Sequence, residues 1–311
     1  MGGTANSPTG ETVLITATSP VSRPKKGREA VQTASVGRIG DLQLNYARRN
    51  HKTIITRSHC TSPWHLLPPI YLDESGAAYT LLLNPSGGLV GGDRLSVTVA
   101  LEEDAHVLIS TPSANRVYRS LGEISVQEIH VDVGPNAVLE WVPEATIPFA
   151  GARYRQKLQV TLATGGTAFL WDTIAAGRIA RGERWAFATL ENEIRITTAS
   201  GASALERFAL DPKGDLSRVG LAQEWDYVAS LYVINDAATA ETWSRIEMRL
   251  AMILNEHTGP ILGGASTPAV PGVVVKLLAR TAPDLTTVLE QLWAAVRMEL
   301  WNLPPVVWRK Y

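Results

Sequence analysis

NPSGGLVGGDRL, residues Asn84 to Leu95, sets two Gly-Gly pairs around a Leu-Val step and leads into an Asp-Arg pair. Glycine suits positions where the chain takes positive φ or lets another backbone approach closely, so this run describes a doubly bent connection between strands. The apolar Tyr79 to Leu83 before it and the alternating Leu95, Val97 and Val99 after it read as those strands. A phosphate-cradling loop would need G-x-x-x-x-G-K-[ST] opening a helix. Here Asp93-Arg94 and a strand pattern follow the second pair, and an acidic residue at that place repels phosphate.

Working outward, strand-like segments recur from about residue 35, each closed by Gly, Pro, Asn or Asp. Leu42, Leu44 and Tyr46 alternate. Ile124, Val126 and Ile129 through Val133 alternate with one slip, which predicts a bulge. Further strands are predicted at Thr53 to Thr56, His106 to Ser110, Val138 to Val142, Leu158 to Leu162, Ala168 to Ile174, Ile194 to Thr197, Leu205 to Ala209 and Val228 to Ile234. With no helical pattern interposed before residue 236, a doubly wound α/β fold is disfavoured. The expected fold is mainly β: a large all-β body of many short strands, sandwich- or solenoid-like, with two C-terminal α-helices.

In the first helix Trp243, Ile246, Leu250, Ile253 and Leu254 repeat at helical spacing, and Gly259-Pro260 stops it. The second starts at Thr281 with Asp284 as a capping-box-like pair and ends before Pro304-Pro305. Its main face carries Leu285, Val288, Leu289, Leu292, Val296 and Leu300. Trp293 and Trp301 fall off that stripe and are read as marking a partner surface. Between the helices, Val273 to Leu278 reads as a buried strand. The expected organisation is therefore an extension at 1–33 and one domain at 34–311, with its β body at 34–235 and a helix-strand-helix portion at 236–311.

Composition bounds the function. A chain of 311 residues can bury on the order of 75% of the surface that its unfolded form exposes. Hydrophobic residues at 45% and charged residues at 19% are globular values. A formal net charge of −1 gives nucleic-acid binding little electrostatic support. The single Cys60 excludes an internal disulfide framework and suits a reducing compartment. No apolar run approaches the roughly 18 residues of a membrane span. Residues 1 to 30 are rich in Gly, Ser, Thr and Pro, with a basic cluster at Arg23, Lys25, Lys26 and Arg28. Their only apolar patch, Val13 to Ile15, is too short for a signal-peptide core, so a flexible extension or misassigned start fits better, a transit peptide remaining open.

Few residues advertise chemistry. The only tight group of soft ligands is His59, Cys60 and His65, whose types suit nickel, copper or zinc. The second half of a structural zinc site is missing, and the alternative is a loop with a partly buried thiol. No G-x-S-x-G elbow is present. Glu102-Glu103-Asp104 sit where a strand ends and read as a solvated turn. Asp172 lies beside Trp171 in an otherwise apolar strand. It is either buried in an ion pair, with Arg178 or Arg184 as partner, or it lines an internal channel, and the ion pair is the preferred reading.

Five segments taken together carry a resemblance. NPSGGLVGGDRL, TPSANRVYRS (Thr111 to Ser120), LEWVPEATIPFAGA (Leu139 to Ala152), WDTIAAGRIARGE (Trp171 to Glu183) and the terminal Trp308-Arg309-Lys310-Tyr311 occur in order. The chain so resembles the urease accessory protein D family (UreD, also UreH) across residues 35 to 311. Its shared positions fall here on Gly87, Gly88, Gly91, Gly92, Asp93 and Arg94, on Tyr118, Arg119 and Ser120, and on Trp171, Gly177, Arg178, Gly182 and Glu183. They form a signature and not a catalytic set. The family usually reads P-Q-E before T-I, whereas Pro143 is followed here by Glu144-Ala145. Its acidic residue between Phe and Gly-Ala is replaced by Ala150, which removes one carboxylate that could guide nickel along this loop.

The resemblance implies a mostly β fold and a cytosolic, non-enzymatic chaperone-like scaffold. Such a scaffold binds the urease apoprotein and recruits the F-type accessory protein and the G-type GTPase for nickel insertion into the urease active site. No tightly bound cofactor, nucleic acid or membrane is implied, and nickel is cargo in transit, with Asp172 and Glu183 as candidate channel residues. Two rival readings remain. A β-rich hydrolase would show turnover and a pocket of paired carboxylates, and a β-sandwich ligand-binding module would bind a small molecule without protein partners.

Overall fold

The alternation seen in the sequence becomes two facing sheets. The computed structural model describes residues 37–212, 222 and 224–306. The expected extension at 1–33 and the terminal Trp308-Arg309-Lys310-Tyr311 segment lie outside the described residues.

The first half of the β body comprises β1 (Ile39–Arg49), β2 (Lys52–Cys60), β3 (His65–Leu66), β4 (Ala78–Leu83), β5 (Arg94–Leu101), β6 (His106–Ser110), β7 (Asn115–Val117), β8 (Ser125–Val133) and β9 (Val138–Trp141). Then follow β10 (Thr146–Pro148), β11 (Arg153–Leu162), β12 (Thr167–Ala175), β13 (Thr189–Thr197), β14 (Ser203–Leu210) and β15 (Tyr227–Ile234). The C-terminal portion adds α1 (Ala240–Glu256), β16 (Ile261–Ser266), β17 (Gly272–Ala279) and α2 (Ala282–Trp301). Among the described residues a seven-stranded sheet runs β14-β13-β11-β8-β5-β1-β2. A ten-stranded sheet runs β16-β17-β15-β12-β9-β6-β4-β3, with β7 and β10 attached beside β12.

The chain passes from one sheet to the other and back. Strands β1, β5, β8, β11 and β13 are mutually parallel in the first sheet. Strands β4, β6, β9 and β12 are mutually parallel in the second. A parallel pair needs a long crossover, usually a helix. Here the crossover from β5 to β8, or from β8 to β11, is a strand of the opposite sheet, and the body is a stack of two-strand coils. The glycine loop is one of these crossings, since it joins β4 in one sheet to β5 in the other.

Two apolar layers hold the stack. Inward rows such as Val97, Val99 and Leu101, Ile129, Val131 and Val133, and Leu158, Val160 and Leu162 pack between the sheets. Strand β12 is buried throughout, because Leu170 and Ile174 face this layer while Phe169 and Trp171 face a second layer beneath the helices. That double burial explains why β12 reads as a continuous apolar run. Helix α2 is capped by Thr281, whose side chain accepts the Asp284 N–H. It buries Leu285, Val288, Leu289, Leu292 and Val296 in the second layer. At about 1.5–3 kcal/mol per large apolar side chain, that face outweighs the helix's own marginal stability.

Two expectations are corrected. The slip at 124–133 is not a bulge: β8 keeps unbroken register with β5 and β11, and the inward row is Ser125, Gln127, Ile129, Val131 and Val133. A polar Gln127 occupies an inward position, and that interrupts the apolar pattern. The irregularity lies instead in β1, between Asn45 and Tyr46. Trp293 does not mark a partner surface. It is buried, with its ring 5.9 Å from Trp171 and 6.3 Å from Phe169, and its indole N–H reaches Glu140 on β9. Trp301 is half-buried, its ring 5.5 Å from that of His106.

Candidate functional site

The glycine loop is built by its own residues. Gly87, Gly88 and Gly92 take φ of 82°, 151° and 89°, in the region that side chains avoid. A Cβ on Gly88 would lie 2.4 Å from the Arg116 carbonyl oxygen, so only glycine lets β7 approach. The buried Asp93 carboxylate accepts the Arg38 N–H at 2.8 Å and the Val90 N–H at 2.9 Å, closing the loop on itself and on β1. Tyr118 donates its hydroxyl to the Gly87 carbonyl at 3.2 Å. A Cβ on Gly91 would meet Ser120 Oγ at 2.5 Å. The Phe149 ring meets Tyr118 edge-on at 5.0 Å, and the Arg178 guanidinium stacks 4.3 Å from the centre of Phe149. Arg178 pairs with Glu183, which also accepts the Ala150 N–H at 3.2 Å. The hydrogen bond from Arg178 holds the Glu183 carboxyl below its ordinary range. Segments far apart in sequence thus interlock at one end of the strand stack.

From this end a cavity of about 100 Å³ runs between the sheets. Gly87, Gly88 and Arg116 line its outer part, and Gln127, Gln156 and Asp172 its inner part. The space suffices for several waters, since one needs roughly 10–15 Å³.

The polar lining continues as two facing rows fixed by strand register. In the seven-stranded sheet Gln127, Gln156 and Asn192 stand side by side on β8, β11 and β13. In the ten-stranded sheet Asp172, Ser230 and Lys276 stand side by side on β12, β15 and β17. Gln156 Nε2 and Asn192 Nδ2 each donate to Asp172 at 2.8 Å. The Tyr154 hydroxyl, with its single proton, lies 3.0 Å from both Gln156 Oε1 and Gln127 Oε1, and Asn115 Nδ2 donates to Gln127 Oε1 at 3.2 Å. Burial pushes the Asp172 carboxyl above its ordinary range, against the two amide bonds that favour its charged form. The preferred ion-pair reading of Asp172 is therefore corrected. Its partners are amides, while Arg178 pairs with Glu183 and Arg184 with Asp226.

The sequence profile described as UreD urease accessory protein matches residues 38–310. The chain belongs to this family. Proteins named Urease accessory protein UreD from Deinococcus radiodurans and Mycolicibacterium gilvum are similar to it. The first is 34% identical over 276 residues, covering 88% of this chain and 95% of the relative. The second is 32% identical over 285 residues, covering 91% and 97%. One of the same name from Cupriavidus necator is 29% identical over 263 residues, covering 83% and 89%.

Within this UreD-family chain, the structure joins most of the signature into one end of the body and separates the rest. Gly87 to Arg94, Tyr118 to Ser120, Gly177, Arg178 and Glu183 cluster there, and Gly182 ends a short 3₁₀ turn at φ 74°. Trp171 faces the helices instead, donating its indole N–H to the Pro143 carbonyl at 2.8 Å. His59, Cys60 and His65 are exposed, and as neighbours on β2 His59 and Cys60 point to opposite faces. Among the described residues no group of three or more His, Cys, Asp or Glu side chains could hold a metal ion. The donors along the seam are amides, hydroxyls and one buried carboxyl. Gln127, Gln156 and Asn192 were missed in the sequence reading. Each interrupts an inward apolar row, and that interruption is the signal that could have found them.

Proposed function

We propose that this chain is a non-enzymatic urease maturation factor. In this reading it binds the urease apoprotein, recruits the F-type accessory protein and the G-type GTPase, and lets nickel ions pass through its polar seam toward urease. What carries the reading is the cavity that joins the signature loop to Asp172, in a chain whose relatives are named urease accessory proteins. A scaffold that holds a GTPase beside the apoprotein raises their effective concentration without new chemistry. A carboxyl held by amide donors, with no His or Cys beside it, suits a cation that must move on, because soft ligands would retain nickel.

The β body is assigned to urease and the helical face to the F-type protein. Met248, Met252 and Met298 on that face are 62%, 54% and 50% exposed, and adaptable thioethers are common at docking surfaces. Among the described residues no helix is long and apolar enough to cross a membrane.

The test is co-expression with the urease structural subunits and the F-type and G-type proteins, followed by affinity purification and a urease activation assay. A recovered complex containing urease or the F-type protein, with nickel-dependent activation, is the expected result. Met252→Glu with Met298→Glu should lose the F-type protein while urease stays bound. Recovery of this chain alone, folded and without activation, would return the ligand-binding reading.

A further inference from the structure

Helix α2 does not release the chain outward at its end. Asn302 takes the left-handed conformation at φ 52°, and the Leu303 N–H returns to the Arg297 carbonyl at 3.2 Å. Arg297 then holds the Pro304 carbonyl at 3.0 Å, and Val306 packs against the apolar layer beneath the helices. The last described residues therefore run back along α2 toward its start. Thr286, Glu290, Trp293 and Arg297 lie on one stripe of that helix, because they are spaced by one turn each.

Where this stripe ends, a small pocket of about 70 Å³ opens between α2 and the ten-stranded sheet. Its lining joins the rings of Trp171 and Tyr227 to the carboxylates of Glu290 and of Glu144, in the connection from β9 to β10. Burial, and after it the charge of Glu144, push the Tyr79 hydroxyl up to about 12, so this carboxylate lies close to the buried aromatic layer. Rings beside carboxylates suit a cationic head. An arginine fits best, since its planar fork stacks on an aromatic face and pairs with a carboxylate.

We propose that residues 307–311 continue along this stripe as a strap and that the Arg309 guanidinium occupies the pocket between Glu144 and Glu290. The reach is sufficient. From Arg297 to Glu290 the helix rises about 10 Å, and three residues beyond Val306 span about 10 Å when extended. The chemistry of the segment matches as well. Val307 and Trp308 supply apolar surface for the layer that Val306 already meets, and Arg309 and Lys310 oppose two carboxylates. The strap ties the helical portion to the Glu144 loop, one of the signature segments, and gives the terminal Trp308-Arg309-Lys310-Tyr311 motif a role. While it is seated, the pocket is closed to a basic side chain from any other chain. This role does not depend on nickel passage.

The test is a cross-link in the full chain carrying Cys60→Ser. Thr286→Cys and Tyr311→Cys are joined by a short bismaleimide, and the products are read by gel and mass spectrometry. The expected result is a link within one chain, at least fivefold more efficient than that between Tyr311→Cys and Met252→Cys on α1. Thr286 and Met252 are both exposed, so neither substitution disturbs the core, and circular dichroism checks this. Arg309→Glu should cut the link at least fivefold, while Arg309→Lys keeps it within twofold. Equal linking of the two cysteine pairs, or linking indifferent to Arg309→Glu, overturns the proposal. A link between two chains overturns it too and assigns the pocket to a second copy.

Discussion

The Arg297 guanidinium on α2 and the Glu140 carboxylate on β9 form an ion pair in which neither side chain is exposed. Arg297 also reaches Asp73 at 2.5 Å and the Pro304 carbonyl at 3.0 Å. Glu140 takes further hydrogen bonds from His106 and Trp293. This network, and not the leucine stripe alone, fixes how α2 sits on the sheet. Removing one partner leaves the other charge buried and bare. Arg297→Met should therefore cost about 3–5 kcal/mol in urea unfolding, and the double variant Arg297→Met with Glu140→Leu distinctly less. A single variant no worse than the double would contradict the network's role.

The same carboxylate predicts acid sensitivity. Burial raises the Glu140 pKa, but the His106 hydrogen bond and the charges of His106 and Arg297 outweigh it and hold the carboxyl below its ordinary range. A depressed folded value stabilises the fold fully above the unfolded value of about 4.3 and loses that contribution as pH falls through the folded value. Unfolding midpoints measured from pH 7 down to 3 should fall more steeply for the wild type than for the double variant.

Asp172 has the opposite sign. Its folded value is raised by burial, so its contribution is fully present below about 3.9, the unfolded value, and is lost as pH rises through the folded value. Asp172→Asn removes this titration. The stability of the variant relative to wild type should increase between pH 4 and pH 8, and a difference independent of pH would show that Asp172 is charged throughout.

Gly88 and Gly182 both have positive φ, yet they differ in space. A Cβ on Gly88 meets backbone at 2.4 Å, whereas one on Gly182 meets nothing within 4 Å. Gly182→Ala should cost about 1–2 kcal/mol, the ordinary penalty for a left-handed side chain. Gly88→Ala should cost more, since β7 must also move, and thermal melting of the two variants gives the ranking.

For function, Gln156→Leu and Asn192→Leu keep volume and inward packing while removing the donors to Asp172. Urease activation should fall while urease and the F-type protein still co-purify. Loss of the complex with activation would instead assign these amides to folding.

Much of this molecule is written locally. Alternation of Leu95, Val97 and Val99 marks a strand, the Thr281–Asp284 pair marks a helix start, and paired glycines mark a crossing, because each depends on residues a few positions apart. The ordered signature segments place the chain in its family by the same means. Strand β16, Ile-Leu-Gly-Gly-Ala-Ser, escaped notice since its glycines carry no side-chain pattern, and its pairing with β17 alone makes it a strand. Which strands share a sheet, and which polar residues then stand opposite one another, is not a local property. Gln127 looks like a slip, Asp172 like half of an ion pair and Trp293 like a surface residue until register and packing join residues far apart in the chain. The sequence by itself determined most of the long strands, both helices and the family. The tertiary structure decided the seam and the Arg297–Glu140 lock, because cross-strand register and burial arise only when distant segments pack together.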